Sequence, residues 1–112
     1  MAENPRRTGR RGTVAFSEPA DRDQTAIFAD TAEQCGTEQA ERYLDFLNEV
    51  MDRLATAPAT APKAPRLTGV RVYVARWKNA RQGHRIFFEE TDNGIYIVRI
   101  LHTAMNWQKH FD

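Results

Sequence analysis

The sequence predicts an α+β fold in which a helical hairpin packs on one face of a small, mostly antiparallel sheet, in the order β-α-α-β-β-β. Residues 17–54 repeat apolar side chains at helical spacing on both sides of a glycine. Beyond a proline-rich connector at 56–65, the period of the apolar residues changes from helical to two. The dipeptide Asn93-Gly94 between two apolar runs indicates a tight hairpin, since both residues tolerate the positive φ of a primed turn.

The first helix is predicted to begin after Ser17 and to end near Cys35. The Ser17 hydroxyl can accept a hydrogen bond from a free N–H group, and Pro19 fits the first turn, where no N–H is needed. Gly36 favours a helix end, and Thr37 is predicted to cap the next helix. A connection this short predicts that the two helices run antiparallel.

The second helix is predicted to bury one clear face. Its members recur at helical spacing: Tyr43, Leu44, Leu47, Met51 and Leu54. Phe46 and Val50 lie off the centre of this stripe, so we expect them on a flank that a partner can reach.

Four strands are predicted, at residues 13–16, 70–75, 84–90 and 95–102. The last is apolar on both sides, which is typical of a central strand. Simple alternation divides it into two faces: Ile95, Ile97 and Leu101 on one, and Tyr96, Val98, Ile100 and His102 on the other. The helices are expected to cover one face of the sheet, and the opposite face is expected to be solvated or covered by another molecule.

The chain is long enough for a single domain, which we place at residues 13–112. Residues 1–12 are polar and rich in arginine, and they are predicted to form a disordered basic arm. Cys35 is the only cysteine, so no internal disulfide can form, as is usual in the cytoplasm. No apolar run is long enough for a transmembrane helix, and no signal peptide is recognised.

Charge is strongly segregated along the chain. Residues 1–12 carry a net +3, residues 18–55 a net −7, and residues 56–112 a net +5. The basic part is expected to attract anionic surfaces, such as an acidic protein or a nucleic acid. Direct sequence-specific binding of nucleic acid is not expected, since Trp77 is the one aromatic residue in the basic stretch 76–83.

Three stretches resemble the ParE/RelE superfamily of toxins from type II toxin–antitoxin modules, and the ParE branch in particular. They are VAFSEPADRDQTAIFADTAEQCGTEQAERYLDFL, RLATAP, and GHRIFFEETDNGIYIVRILHTAMNWQKHF. The resemblance covers roughly residues 13–112 and implies a cytoplasmic toxin that inhibits growth by binding a target, usually DNA gyrase. It also implies a role in plasmid stabilization, a cognate ParD-like antitoxin and no cofactor.

RelE-like members of the superfamily instead cleave mRNA on the ribosome, using basic residues and, in some members, a tyrosine. Arg85 matches a basic strand position, and Arg99 lies in the last strand. Thr103 stands where RelE-like nucleases carry arginine, and the aromatic residues near the end, Trp107 and Phe111, have no phenolic hydroxyl. Inhibition by binding is therefore favoured over an mRNA interferase. A non-toxic relic that only binds the antitoxin stays open as a third function.

The candidate site residues form two groups, and no catalytic residue is assigned. The predicted target-binding residues lie in the last strand and the tail: Arg99, His102, Met105, Asn106, Trp107 and Lys109. The predicted antitoxin-binding residues lie on the helical flank and the sheet: Phe46, Val50, Arg71, Arg76 and Arg85. Trp107 has a second interpretation, in which it folds back onto the sheet. His102 has one too, in which it bonds a neighbouring backbone group. The spacing of the three histidines predicts no metal site.

Overall fold

The structure is a computed structural model that describes residues 4–8 and 12–111. Its helices and strands follow in the order β1 (Asn4–Thr8), β2 (Thr13–Phe16), α1 (Glu18–Cys35), α2 (Thr37–Thr56), β3 (Arg71–Ala75), β4 (His84–Thr91) and β5 (Gly94–His102). Two short 3₁₀ helices, Pro58–Thr60 and Trp107–His110, lie in the connector and the tail. From β2 onwards, the predicted β-α-α-β-β-β order is confirmed.

β1 lies where the sequence predicts a disordered arm. It pairs antiparallel with β2, so that Asn4 lies opposite Phe16 and Thr8 lies opposite Thr13. The backbone of β1 thereby occupies an edge of β2 that would otherwise be open. Residues 1–3 and 9–11 of the predicted arm lie outside the described residues.

The five strands form one mixed sheet in the order β1-β2-β5-β4-β3. β2 and β5 run parallel, whereas the other neighbouring pairs are antiparallel, which confirms a mostly antiparallel sheet. α1 and α2 form the predicted hairpin on one face, where Phe16, Leu47, Met51 and Phe88 are fully buried. Within the described residues, no helix is long and apolar enough to cross a membrane.

Ser17 and Gly36 fix the two ends of α1. The Ser17 hydroxyl accepts a hydrogen bond from the Ala20 N–H at 3.0 Å and donates one to the Val98 carbonyl at 2.8 Å, so it caps the helix and ties it to β5. Gly36 has a φ of +93°, which an L side chain rarely adopts. The prediction that Thr37 caps α2 is wrong: Gly36 is the cap residue and Thr37 is the first residue of the helix.

The β4–β5 hairpin is present, but the reason for its glycine differs from the prediction. The turn residues are Asp92 and Asn93, and neither has a positive φ. A Cβ on Gly94 would instead collide with the backbone of Thr13, because β2 runs beside the start of β5. Glycine is therefore required at this position by close strand packing.

A β-bulge in β5 changes which side chains share a face. Phe87 pairs with Arg99 and Phe88 pairs with Ile97, so Val98 is an extra residue in the ladder. After the bulge, Ile100 joins the core under the helices and Leu101 turns to the opposite face. The alternation predicted for Ile100, Leu101 and His102 is therefore wrong, because an extra residue reverses the period of two.

The sheet face opposite the helices is covered by the chain itself, which contradicts the predicted open face. Phe87 and Leu101 are buried there, and the segments on either side of the strands pack over them. The covering residues come from the connector and the tail: Ala64, Leu67, Val70, Trp107 and Phe111. The connector is apolar enough to form this lid because alanines separate its prolines and Leu67 follows them.

Candidate functional site

A cavity of about 740 Å³ lies between the helical hairpin and the C-terminal end of β5. We call it the helix–β5 cleft. Its polar and aromatic lining comes from both helices, the β3–β4 loop and the end of the sheet: Asp23, Tyr43, Trp77, His84, Arg99, His102, Met105 and His110. Three predicted target-binding residues, Arg99, His102 and Met105, are thus brought together.

Asp23 and Arg99 form the electrostatic centre of this cleft. The guanidinium donates two hydrogen bonds to the carboxylate, at 2.8 and 2.9 Å, and the Ile100 N–H donates a third at 2.9 Å. Both side chains are largely buried, with 23% of Arg99 and 13% of Asp23 exposed. The hydrogen bond to Asp23 raises the pKa of Arg99 against the opposing effect of burial. This ion pair fastens α1 to β5.

Tyr43, His84 and His102 form a second polar group beside the ion pair. The Tyr43 hydroxyl lies 2.6 Å from His84 Nδ1, and the two histidine rings meet edge to face with centroids 5.3 Å apart. His102 Nδ1 accepts a hydrogen bond from the Ala104 N–H at 3.0 Å, which confirms the interpretation that it bonds a neighbouring backbone group. His102 lies on the helix side of the sheet because the bulge turns it there.

Burial controls the protonation of this group. The pKa of His84 is lowered to about 4, chiefly by burial and secondly by the neighbouring His102, while Asp23 opposes the shift. Burial also raises the pKa of Tyr43 to about 12. At neutral pH His84 is therefore uncharged, and its Nδ1 shares a hydrogen bond with the Tyr43 hydroxyl.

The tail residues divide between the two faces of the sheet. Met105 is 47% exposed, and Asn106 and Lys109 are exposed as well. Trp107 is half-buried on the face opposite the helices, with its ring 5.2 Å from Phe87 and 6.1 Å from Phe111. The interpretation in which Trp107 folds back onto the sheet is confirmed, and the ring is not a free anchor for a partner.

The predicted antitoxin-binding residues differ widely in accessibility. Val50 is 2% exposed and belongs to the core, so the prediction that a partner touches it is wrong. α2 turns this position onto the sheet, because it lies one helical turn from Leu47 and Leu54. Phe46 is half-buried against Tyr43 and Trp77.

The three arginines of this group lie in different surroundings. Arg71 donates to the Ala61 carbonyl at 2.6 Å and pairs with Glu90. Arg85 donates to the Thr103 carbonyl at 2.8 Å. Arg76 is exposed, with its Nε donating to the Arg81 carbonyl. Of the three, Arg76 is the most available to a partner.

Sequence reasoning assigned no site role to Asp23, Tyr43, Trp77 or His84. A signal for Asp23 was present, because a carboxylate three residues after Ala20 and four before Ile27 lies on the buried stripe of α1. No local signal joins Tyr43 to His84, which lie 41 positions apart.

The cleft offers neutral imidazole, a phenol and a paired guanidinium, and each of these groups has a partner inside the chain. Within residues 12–111, no three histidine, cysteine or acidic side chains are grouped so that they could hold a metal ion. The hydrogen bonds of these groups therefore tie both helices to the sheet.

The same fold is found in a solved structure of a toxin–antitoxin system. The chain is similar to a structure described as the chromosomal ParDE TA system from P. aeruginosa, with a TM-score of 0.62 and 22% identity. The match covers 77% of this chain and 89% of that one. Residues 14–107 match the family described as the ParE toxin of type II toxin-antitoxin system, parDE. The chain belongs to this ParE toxin family. None of the curated proteins matches it.

Proposed function

We propose that this chain is a cytoplasmic toxin that stops growth by binding and inhibiting DNA gyrase, and that a cognate ParD-like antitoxin neutralises it. Membership of the ParE toxin family supports the toxin role. Gyrase is the target that the sequence resemblance implies, and plasmid stabilization is a biological outcome of such a pair.

One observation favours inhibition by binding over RNA cleavage. Arg99 is held by Asp23 through two hydrogen bonds, and the neutral His84 is held by the Tyr43 hydroxyl. Cleavage of RNA needs a base for the ribose 2′-hydroxyl and free cations around the phosphate. Groups engaged in this way stabilise the contact between the helices and β5.

The exposed tail supplies the surface for the target. Met105 offers an apolar side chain at the cleft, and Lys109 adds a positive charge to the same short segment. Such a combination is typical of an anchor with a charged neighbour. Arg99 and His102 line the cleft together with Met105, and Asn106 is exposed next to Met105.

The test is expression of the chain alone, followed by assays that separate the three functions. Growth arrest with intact mRNA, an induced DNA-damage response and loss of supercoiling by purified gyrase is the expected result. Codon-positioned mRNA cuts would replace this proposal with an mRNA interferase, and unimpaired growth would indicate a relic. The paired variant Met105→Ala with Lys109→Ala should remain folded and lose inhibition, and Arg22→Ala on the far helix provides the control.

A further inference from the structure

We propose that the outer edge of β3 receives an extended, acidic segment of the antitoxin as an additional strand. This inference rests on the proposed toxin–antitoxin function and assigns a docking position and a chemistry to the partner. We call the surface the β3 edge and define it as the outer side of residues 72–75.

β3 is the terminal strand of the sheet, and the chain covers half of its outer side. The Val72 N–H donates to the Pro62 carbonyl at 3.0 Å, and the Ala64 N–H donates to the Val70 carbonyl at 2.8 Å. Because the Val72 N–H points outward, alternation along the strand makes the N–H and C=O of Val74 point outward too. Within residues 12–111 these two groups of Val74 have no hydrogen-bond partner.

The side chains of this edge are uncharged and mostly apolar, which is typical of a strand that pairs with another strand. Residues 72–75 read Val-Tyr-Val-Ala and carry no charge. Tyr73 is 37% exposed, and together with Met105 it forms the pair of exposed large apolar residues found in 12–111. Free edges are normally protected by charge, proline or a bulge, since an unprotected apolar edge pairs with other chains. Here proline and the connector protect the first half only.

Both faces of an added strand would find apolar contacts. Tyr73 lies on the helix side of the sheet, since its partner Ile86 belongs to the core under the helices. Val72 and Val74 lie on the other side, where Val72 packs with the covering connector. A strand with alternating apolar side chains can therefore bind on either face through main-chain hydrogen bonds and side-chain contacts.

The positive charge beside the β3 edge indicates which kind of segment binds there. Arg71 and Arg76 flank the edge on either side; Arg71 is paired with Glu90, whereas Arg76 is exposed. A second copy of the chain would bring another exposed Arg76 to the same short ribbon, and like charges across paired strands are destabilising. An acidic segment would instead pair with Arg76. We therefore assign the edge to an acidic, extended segment of the antitoxin.

Amide hydrogen exchange tests the position directly. The full chain is compared alone and in complex with the small protein encoded by the adjacent reading frame, which serves as the antitoxin probe. The Val74 amide should exchange rapidly in the free chain and be protected at least about 100-fold in the complex. The Tyr73 amide, which points to β4, should be protected in both states.

The variant Val74→Pro removes the outward N–H without breaking the β3–β4 ladder, because proline is tolerated on the open side of an edge strand. We expect the affinity for the antitoxin to fall about 10- to 100-fold, since the partner loses a hydrogen bond. Val74→Ala keeps the N–H and should lose less than about 5-fold. Arg76→Glu should weaken binding more than Arg81→Glu on the adjoining loop.

The outcomes separate this inference from the function on which it rests. A neutralised complex in which the Val74 amide exchanges as in the free chain would overturn the β3 edge and leave the proposed function intact. Concentration-dependent protection of Val74 in the free chain would assign the edge to a second copy and also overturn it. Absence of any complex with the probe would overturn both proposals.

Discussion

The helix–β5 cleft and the β3 edge are two surfaces of one sheet that treat their polar groups in opposite ways. In the cleft, Asp23, Arg99, Tyr43 and His84 all find partners within the chain. At the β3 edge, the backbone of Val74 finds none among the described residues, and its neighbours are apolar. The polar groups of the helix–β5 cleft are thus satisfied within the chain, whereas the β3 edge keeps unpaired backbone groups among the described residues. Reactive residue types are therefore a weaker guide to the binding surface here than missing hydrogen bonds are.

The largest expected effect comes from breaking the ion pair in the cleft. Arg99→Ala should lower the free energy of unfolding by about 3 kcal/mol, because it leaves the largely buried Asp23 carboxylate without its cation. The matched control is Arg22→Ala, which breaks a solvent-exposed pair with Glu18 and should cost less than about 1 kcal/mol. Urea denaturation measures both. Equal losses would mean that the cleft is not internally stabilised.

The next effect is a dependence of stability on pH. Burial lowers the pKa of His84 to about 4, so the unfolded chain binds a proton more readily than the folded one below pH 6.5. The contribution of neutral His84 to stability is complete above pH 6.5 and is lost as the pH falls towards 4. Between pH 7 and 5 this amounts to about 2 kcal/mol.

His84→Gln should flatten the part of the pH profile that belongs to this histidine. The charged or titratable groups that face it are Tyr43 from α2, Asp23 from α1 and His102 from β5. His102→Gln, which leaves His84 in place, is the comparison. An unchanged profile in His84→Gln would show that another group causes the acid sensitivity.

A smaller effect distinguishes the two aromatic and apolar residues of the tail. Trp107→Ala should cost about 2 kcal/mol of stability, because its half-buried ring packs on Phe87 and Phe111. Met105→Ala should change stability by less than about 0.5 kcal/mol yet weaken target inhibition, since Met105 is exposed. Thermal unfolding and a supercoiling assay give the two readouts. The reverse pattern would return Trp107 to the binding surface.

The smallest effect on stability is expected at the β3 edge. Tyr73→Glu should change the unfolding free energy by less than about 0.5 kcal/mol and weaken binding of the acidic antitoxin segment, because it places a negative charge on the β3 edge. Ala80→Glu, which places the same charge on an exposed loop, should weaken this binding less. Urea denaturation and a binding titration give the two readouts.

Local patterns in the sequence predicted most of the fold. Ser17 and Gly36 mark the ends of α1, and helical spacing identifies the buried face of α2, because capping and amphipathic periodicity are properties of short segments. The bulge at Val98 could not be predicted in this way. It arises from the pairing of β5 with β4, and one extra residue is enough to exchange Ile100 and Leu101 between faces.

The candidate site was predicted less well, for a related physical reason. Arg99, His102 and Met105 were identified because they follow one another along the chain. Their neighbours Asp23, Tyr43 and His84 lie in other helices and strands. The sequence therefore did not show that these polar groups form hydrogen bonds with one another. The lid formed by the connector and Trp107 was missed likewise, because proline and alanine indicate an extended segment without showing where it packs.

We propose that the helix–β5 cleft supports the fold and that growth inhibition does not depend on chemistry within it. The direct measurement is growth inhibition by the double variant Tyr43→Phe with His84→Gln, expressed alone and shown by circular dichroism to be folded. We expect the growth arrest to equal that of the natural chain, since inhibition requires surface contacts only. Restored growth at equal abundance of the folded variant would contradict this proposal, because it would mean that these two groups act on the target directly.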